Sequence, residues 1–245
     1  MFTNSLGQKV DQEEPIFPLI SFNSATKIFK CVGTGFFIQP LGGFVTARHV
    51  FFDNNGQNLP TLYAIQTTSN QERHVRVLRH IVTHPDADIA IGFLGQRRLA
   101  GKNIKPEIAS PFTLSFDTLN AGDKIRTYAF PLTETQNLDN GKIEFTFSGK
   151  WSTGEVVDFH EEGSPLVHNK CYQTTMKIDH GASGGPVLKN DLVVGINSSG
   201  MDLFENDVPL SYITPINYIL DLFVPSGDEI ISVKELIDGG SISAK

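Results

Sequence analysis

Residues 180–187 read HGASGGPV, one serine set among three glycines just before a hydrophobic run. Such a stretch forms either a plain turn or a loop that exposes a nucleophilic hydroxyl beside uncovered backbone N–H groups. A serine hydroxyl is a poor nucleophile unless an adjacent base activates it and a third group orients that base. The choice between the two interpretations therefore depends on a histidine and an acid elsewhere in the chain.

The spacing Gly-x-Ser-x-Gly at 181–185 also marks the nucleophile elbow of α/β-hydrolases. In that fold the acid and then the histidine follow the serine, whereas all seven histidines of this chain precede Ser183. The chain also lacks the alternation of strands and helices that an α/β fold requires. The elbow interpretation therefore fails, and the base has to come from upstream.

Two upstream residues meet the requirement for a base and an acid. His49 follows the strand-like run GFVTAR (43–48), where a side chain can project from a rigid edge. Asp88 begins the apolar run DIAIGFL (88–94), which would fix its backbone while its carboxylate turns towards an imidazole. The chain order His, Asp, Ser is one of the known orders for catalysis by an activated serine.

The composition is that of a globular protein of 245 residues, with 40% hydrophobic and 19% charged residues. A net charge of −7 without any basic run argues against a nucleic-acid partner and against an anionic membrane surface. No stretch approaches the roughly 18 apolar residues that a membrane-spanning helix needs. The N-terminus has no basic start followed by an apolar block, so we expect a cytoplasmic protein.

Only two cysteines occur, Cys31 and Cys171, which is too few for a disulfide framework. We expect both to be reduced thiols. His168 and Cys171 are close enough in sequence for metal ligands, but a pair without further ligands is a weak signal. We therefore expect no metal and no other cofactor.

Short β-rich runs separated by Gly, Asn, Asp and Pro dominate the chain and favour sandwiches or barrels. A polar stretch at 95–111 reads as a linker, and the two sets of strands around it suggest two β subdomains with a site in the cleft between them. Helices are expected at 216–223 and 233–238, and the last residues, GGSISAK, are expected to fray. The predicted strands are 15–22, 27–38, 43–47, 61–68, 74–82 and 88–94, then 112–116, 124–131, 143–151, 154–159, 171–178, 185–189, 192–200 and 210–215.

The motifs TARH (46–49), DIAI (88–91) and GASGGP (181–186) together resemble the trypsin/chymotrypsin-like serine proteases. SYITPIN (211–217) and the lack of disulfides bring the chain nearer to the bacterial trypsin-like branch that includes the HtrA/Deg-like enzymes. The resemblance implies an all-β fold of two six-stranded antiparallel β-barrels with a C-terminal helix. The corresponding domain boundaries are 1–14 for an N-terminal extension, 15–105 and 106–224 for the barrels, and 225–245 for a tail.

The resemblance also implies a role for each motif residue. Ser183 would be the nucleophile, His49 the general base and then acid, and Asp88 the group that orients His49. The backbone N–H groups of Gly181 and Ser183 would form the oxyanion hole. The implied activity is that of a serine endopeptidase that works through an acyl-enzyme intermediate on a protein or peptide substrate.

The substrate-binding residues implied by the resemblance are Ile178, Asn197, Ser198, Ser199 and Gly200. Ser198 also matches the serine that supports the catalytic aspartate in this family. No lone acid stands at the base of the pocket, so we expect a small or medium uncharged residue before the cleaved bond. The polar loops 132–142 and 201–209 would lie beside the pocket.

One departure from the family pattern concerns activation. Ala182 replaces the aspartate that receives a newly cut N-terminus in zymogen-activated members, so that mode of activation is not expected here. A protease that is not activated in this way needs another means of controlling its activity, and we expect a regulatory protein partner. Two alternatives stay open: a catalytically latent trypsin-fold module that binds peptides or regulates a partner, and an esterase or polyprotein-processing enzyme with the same triad.

Overall fold

The computed structural model describes residues 1–52, 56–59, 61–95, 98–99, 102–103, 109–137, 143–201 and 210–245. Strands dominate this part of the chain, as the alternating apolar pattern and the frequent turn residues predict. None of its helices is long and apolar enough to cross a membrane. Both cysteines are free thiols, as expected.

The first half of the chain closes into a six-stranded antiparallel barrel. A short hairpin precedes it, made of β1 (Phe2–Thr3) and β2 (Lys9–Val10). The strands of the barrel are β3 (Ile16–Asn23), β4 (Ile28–Phe37), β5 (Gly43–Thr46), β6 (Leu62–Thr67), β7 (Arg73–Thr83) and β8 (Ala90–Leu94), which pair in the order β3-β4-β5-β8-β7-β6.

The second half closes into another six-stranded antiparallel barrel after the small pair β9 (Arg98–Leu99) and β10 (Lys102–Asn103). Its strands are β11 (Lys124–Asn137), β12 (Ile143–His160), β13 (Cys171–Thr174), β14 (Pro186–Lys189), β15 (Leu192–Met201) and β16 (Leu210–Pro215), in the order β11-β12-β13-β16-β15-β14. A hairpin of β17 (Phe223–Ser226) and β18 (Glu229–Ser232) and a helix, α1 (Val233–Asp238), end the chain. The predicted fold class is confirmed.

Phenylalanines fill the interior of the first barrel. The ring of Phe17 lies 4.7 Å from that of Phe37 and 5.5 Å from that of Phe44, between centroids, and all three side chains are fully buried. Full burial of a side chain of this size stabilises the fold by about 1.5–3 kcal/mol. This core continues into the space between the barrels, where Tyr128 and Phe130 of β11 join it, and thereby holds the two halves together.

The N-terminal segment contacts both barrels. Phe2 is fully buried and packs against Phe112 in a tilted arrangement with 4.2 Å between ring centroids. Glu13 forms an ion pair with Arg73 of the first barrel at 3.3 Å and accepts a hydrogen bond from the Tyr128 hydroxyl of the second at 3.0 Å. The segment therefore bridges the two halves.

The structure corrects several predicted elements. The helix expected at 216–223 is a 3₁₀ helix, Ile216–Asp221, because Phe223 already pairs with Ser232 in the β17–β18 hairpin and ends the turn. The run 112–116 is not a strand: only Leu114 makes β-bridges, to Val193 and Ala244. The runs 143–151 and 154–159 form one strand, β12, which continues past the break that Gly154 suggests.

Two further expectations concern loops and the C-terminus. The fraying expected for the last residues is wrong, since Ile242 is buried and the N–H of Lys245 donates to the carbonyl of Leu114 at 3.0 Å. Residues 132–137, expected in a loop, belong to β11. The rest of that loop, most of the loop at 201–209 and much of the linker at 95–111 lie outside the described residues.

Candidate active site

His49 and Asp88 meet because their strands are neighbours. Thr46 at the end of β5 pairs with Ala90 at the start of β8, so the residues just beyond this pair lie side by side. His49 occupies a 3₁₀ turn, Arg48–Phe51, directly after β5. Its Nδ1 lies 2.9 Å from Asp88 Oδ2 and 3.0 Å from Oδ1, and its backbone N–H donates to Oδ1 at 3.0 Å.

The carboxylate of Asp88 controls the ionisation of His49. Burial lowers the pKa of His49, but the hydrogen bond and the negative charge of Asp88 raise it more, so that it lies above its ordinary value. With Nδ1–H directed at the carboxylate, the neutral imidazole keeps Nε2 unprotonated. A nitrogen in that state, on a half-exposed ring, can accept a proton from a neighbouring hydroxyl.

The loop around Ser183 depends on two glycines. Gly181 has a φ of +84° and Gly184 a φ of +82°, backbone conformations that residues with a Cβ rarely adopt. A Cβ on Gly184 would also overlap Thr46 of the first barrel. Within the described residues, neither the N–H of Gly181 nor that of Ser183 donates to a backbone carbonyl. This is compatible with the oxyanion role that the sequence predicts for both groups.

His49 and Ser183 line one cavity of about 480 Å³. Among the described residues, the hydrogen bonds of the His49 imidazole go to Asp88, and none joins it to the hydroxyl of Ser183. Catalytic hydrogen bonds are often long or misaligned before substrate binds, so this geometry is compatible with a base and its nucleophile. The other residues lining the cavity are Ile178, Asp179, His180, Ser198, Ser199 and Gly200.

Four of the five predicted substrate-binding residues thus line the cavity, and Asn197 does not. Its side chain is fully buried and donates to Ala182 O at 3.1 Å and to Thr127 Oγ1 at 2.9 Å. Asn197 lies beneath the Ser183 loop, and its backbone carbonyl accepts from Gly184 N–H at 2.7 Å. It therefore supports the loop from below.

A second cavity, of about 580 Å³, also borders the His49–Asp88 pair. His49, Asp88, Ser198 and Ser199 border it together with residues of three neighbouring segments. The residues of these segments are Arg48, Phe52, Gly56, Asp86, Ala87, Leu166, Val167, His168 and Asn169.

Ser198 has a partner other than the one expected. Its hydroxyl lies 2.6 Å from Thr214 Oγ1, and Thr214 in turn accepts from Asn169 Nδ2 at 3.2 Å. Asn169 Oδ1 accepts the backbone N–H of Asp88 at 3.0 Å. Ser198 is thus connected to Asp88 through two intermediate side chains.

Thr34, Asn169 and Thr214 were missed in the sequence. Thr34 is a buried residue of β4 that donates its hydroxyl to Gly181 O at 2.9 Å and its N–H to Ser183 O at 2.8 Å. The nearest sequence signal is the Gly-x-Gly pattern at 33–35, since a Cβ on Gly33 would come within 2.9 Å of Ser183 O. Thr214 lies within SYITPIN (211–217), but neither it nor Asn169 carries a local signal for this role.

Comparisons with known proteins bear on the fold and the family. A family model described as a trypsin-like peptidase domain matches residues 33–196. No curated protein is similar enough in sequence to count as a match. Among solved structures, that of Deg5 is 17% identical, with a TM-score of 0.59 over 84% of this chain and 85% of that one.

Two other solved structures have a similar fold. The HtrA-type protease AlgW with a tripeptide is 14% identical, with a TM-score of 0.57 over 93% of this chain and 62% of that one. The active form of the Rv3671c protease of M. tuberculosis is 16% identical, with a TM-score of 0.55 over 84% and 78%. At these identities the likeness concerns the fold.

Proposed function

This chain belongs to the family of trypsin-like peptidase domains, and from that premise we propose that it is a serine endopeptidase. The observation that carries the proposal is the pairing of His49 Nδ1 with Asp88 at 2.9 Å on the wall of the cavity that also holds Ser183. A base oriented by an acid, facing a serine, is the arrangement that activates a hydroxyl.

The proposed reaction has two halves. Ser183 Oγ attacks the carbonyl carbon of the peptide bond while His49 Nε2 takes the hydroxyl proton, and the carbonyl electrons move to the oxygen. The N–H groups of Gly181 and Ser183 stabilise that oxyanion. When the C–N bond breaks, His49 gives its proton to the leaving amine and an acyl-enzyme remains. Water then repeats the steps, with His49 again acting as base and acid, and releases the carboxylic acid and Ser183.

The cavity walls favour a small or medium uncharged residue on the acyl side of the cleaved bond. A Cβ on Gly200 would overlap the carbonyl oxygen of Ile178, so the two walls stand close together. Lys177 is paired with Asp179 at 3.5 Å, which reduces its pull on an acidic side chain. The exposed edge at Ser199 and Gly200 can pair with an extended peptide by strand addition.

The test is covalent labelling with a fluorophosphonate probe combined with cleavage of a proteome-derived peptide library. We expect wild-type protein to be labelled at Ser183 and to cleave peptides after small or medium uncharged residues. Ser183→Ala should abolish both, whereas Ser226→Ala, which changes an exposed serine of β17, should leave both intact. Peptide cleavage that survives Ser183→Ala would refute the proposal.

A second candidate is a latent module that binds peptides without cleaving them. It is favoured by one observation: among the described residues, no hydrogen bond joins the imidazole of His49 to Ser183. A protein that binds library peptides but neither cleaves them nor reacts with the probe would support this alternative.

A further inference from the structure

The loop that carries Asp88 is held through its backbone N–H groups. Those of Asp86 and Ala87 both donate to His84 Nδ1, at 3.1 and 2.9 Å. The next N–H, that of Asp88 itself, donates to Asn169 Oδ1 at 3.0 Å. His84 belongs to the same loop, whereas Asn169 comes from the second barrel, 81 residues further along the chain. Asn169 therefore attaches the Asp88 loop of the first barrel to the second barrel.

Asn169 is itself tightly held. It is 7% exposed, and its Nδ2 donates to Lys170 O at 2.7 Å and to Thr214 Oγ1 at 3.2 Å. Thr214 is fully buried and lies 2.6 Å from the hydroxyl of Ser198. These partners fix which end of the amide faces Asp88: a flipped amide would direct its NH₂ at the Asp88 N–H and its oxygen at the Lys170 carbonyl, and would lose both of those bonds.

Asp88 is thus held through both its side chain and its backbone. Its carboxylate faces the N–H and the ring of His49, while its backbone N–H is tied to the opposite barrel. The bond to Asn169 sets the position of the Asp88 backbone, and thereby the direction from which its carboxylate reaches the imidazole. A displacement of about 1 Å in a catalytic group can cost about 100-fold in rate.

We propose that Asn169 is a positioning residue of this site, which holds the Asp88 loop against the second barrel and so keeps the carboxylate aligned with His49. The inference rests on the proposed serine protease function. Asn169 acts through Asp88 and His49 and needs no contact with the reacting atoms of the substrate.

Two substitutions test this assignment. Asn169→Ala removes the acceptor, and we expect kcat to fall about 10- to 100-fold with KM changed less than about twofold, since alignment rather than binding is lost. Because the carboxylate then supports the imidazolium less well, the acid limb of the kcat profile should move to lower pH. Asn169→Asp keeps an acceptor oxygen for the Asp88 N–H but loses the donor to Lys170 O, so its kcat should lie between those of Asn169→Ala and wild type.

The ionisation of His49 gives a readout that needs no enzymatic activity. In an NMR titration, the pKa of the His49 imidazole should be lower in Asn169→Ala than in wild type and higher in Asn169→Asp, which adds a negative charge near the pair. If Asn169→Ala does not fold, Thr214→Val removes one partner of Asn169 and should move kcat and the His49 titration in the same direction by less.

Asn4→Ala is the matched control. Asn4 is also a buried asparagine whose Oδ1 accepts backbone N–H groups, from Leu6 at 3.0 Å and Gln8 at 2.9 Å, but it lines neither cavity of the site. Its replacement should lower Tm and leave kcat and the His49 titration unchanged. A variant that acts only through stability would behave like this control.

The outcomes separate this inference from the proposed function. An unlabelled, inactive wild-type protein would overturn the protease proposal, and the His49 titration would still test the role of Asn169. If wild type is active, and Asn169→Ala folds with unchanged kcat and an unchanged His49 titration, the positioning assignment is wrong.

Discussion

The hydroxyl of Thr34, in the first barrel, donates to the carbonyl oxygen of Gly181, in the second, across 2.9 Å. The same hydroxyl accepts the N–H of Phe130 at 3.2 Å, and the backbone N–H of Thr34 reaches Ser183 O at 2.8 Å. One buried residue of the first barrel therefore orients the peptide groups at both ends of the loop that would form the oxyanion hole.

Thr34→Val tests the importance of this contact. Valine has the shape of threonine without the hydroxyl, so it leaves the Gly181 carbonyl and the Phe130 N–H without their partner. We expect kcat to fall about tenfold while KM changes little. A tenfold fall corresponds to a loss of roughly 1.4 kcal/mol of transition-state stabilisation, which we attribute to the misaligned loop. Steady-state kinetics on a cleaved library peptide measures the effect. Thr34→Ser keeps the hydroxyl and should stay near wild type; equal loss in both variants would contradict the argument.

The pH dependence of the rate follows from the His49–Asp88 pair. The base must be neutral to accept the proton of Ser183, and its pKa lies above the ordinary value because Asp88 stabilises the charged form. Activity should therefore rise with pH through a midpoint above about 6.5, the ordinary value for histidine. A profile of kcat/KM against pH reports the midpoint in the free enzyme. Asp88→Asn should greatly reduce kcat, and a midpoint below 6.5 in the wild-type protein would count against the pair as the titrating unit.

Gly181→Ala should damage catalysis more than stability. The φ of +84° disfavours any side chain, and a Cβ there would lie 2.8 Å from Phe130 O, so the loop has to shift. Loss of one oxyanion donor costs about 2.7–4 kcal/mol, or about 100- to 1,000-fold in kcat. Gly7→Ala offers a comparison, because Gly7 has a φ of +76° with nothing within 4 Å of an added Cβ. Gly7→Ala should lower Tm but leave kcat unchanged. Equal kcat values for the two variants would be inconsistent with an oxyanion role for Gly181.

Asp191 should contribute stability that depends on pH. Burial raises its pKa, but hydrogen bonds from Thr3 and Arg126 lower it more, so that it lies below the ordinary value. A lowered pKa in the folded state means that the stabilisation is present above the unfolded-state pKa of about 4 and is lost as the pH falls through the folded-state value. Asp191→Asn should cost about 1–3 kcal/mol at pH 7 and much less near pH 3.

Chemical denaturation at both pH values measures this difference. Asp228→Asn, in the exposed turn between β17 and β18, serves as the control and should change little at either pH. A loss of stability in Asp191→Asn that is the same at pH 7 and pH 3 would contradict the ionic origin of the contact.

Much of the fold could be predicted because strands are encoded by short local stretches of sequence. Alternating apolar residues between turn residues predict strands whatever the rest of the chain does, and the resemblance carried by three motifs supplied their arrangement in two barrels. The strand β3 (Ile16–Asn23) differs from its predicted range by a single residue at each end. The helix predicted at 216–223 is two residues longer than the 3₁₀ helix Ile216–Asp221, since its sequence pattern does not reveal the hairpin that ends it.

The residues of the candidate site likewise fall into those that the sequence identified and those that it did not. His49, Asp88 and Ser183 were identified from the sequence because each lies in a short motif with its own residue pattern. Thr34 and Asn169 could not be, since each acts on a partner 147 or 81 residues away and is an ordinary polar residue in its local sequence. The chain by itself predicted most of the strands, the fold class and the candidate groups for the chemistry. Only the packing of two barrels decided which buried side chains hold those groups in place, because a hydrogen bond across an interface depends on distances that no local pattern of residues encodes.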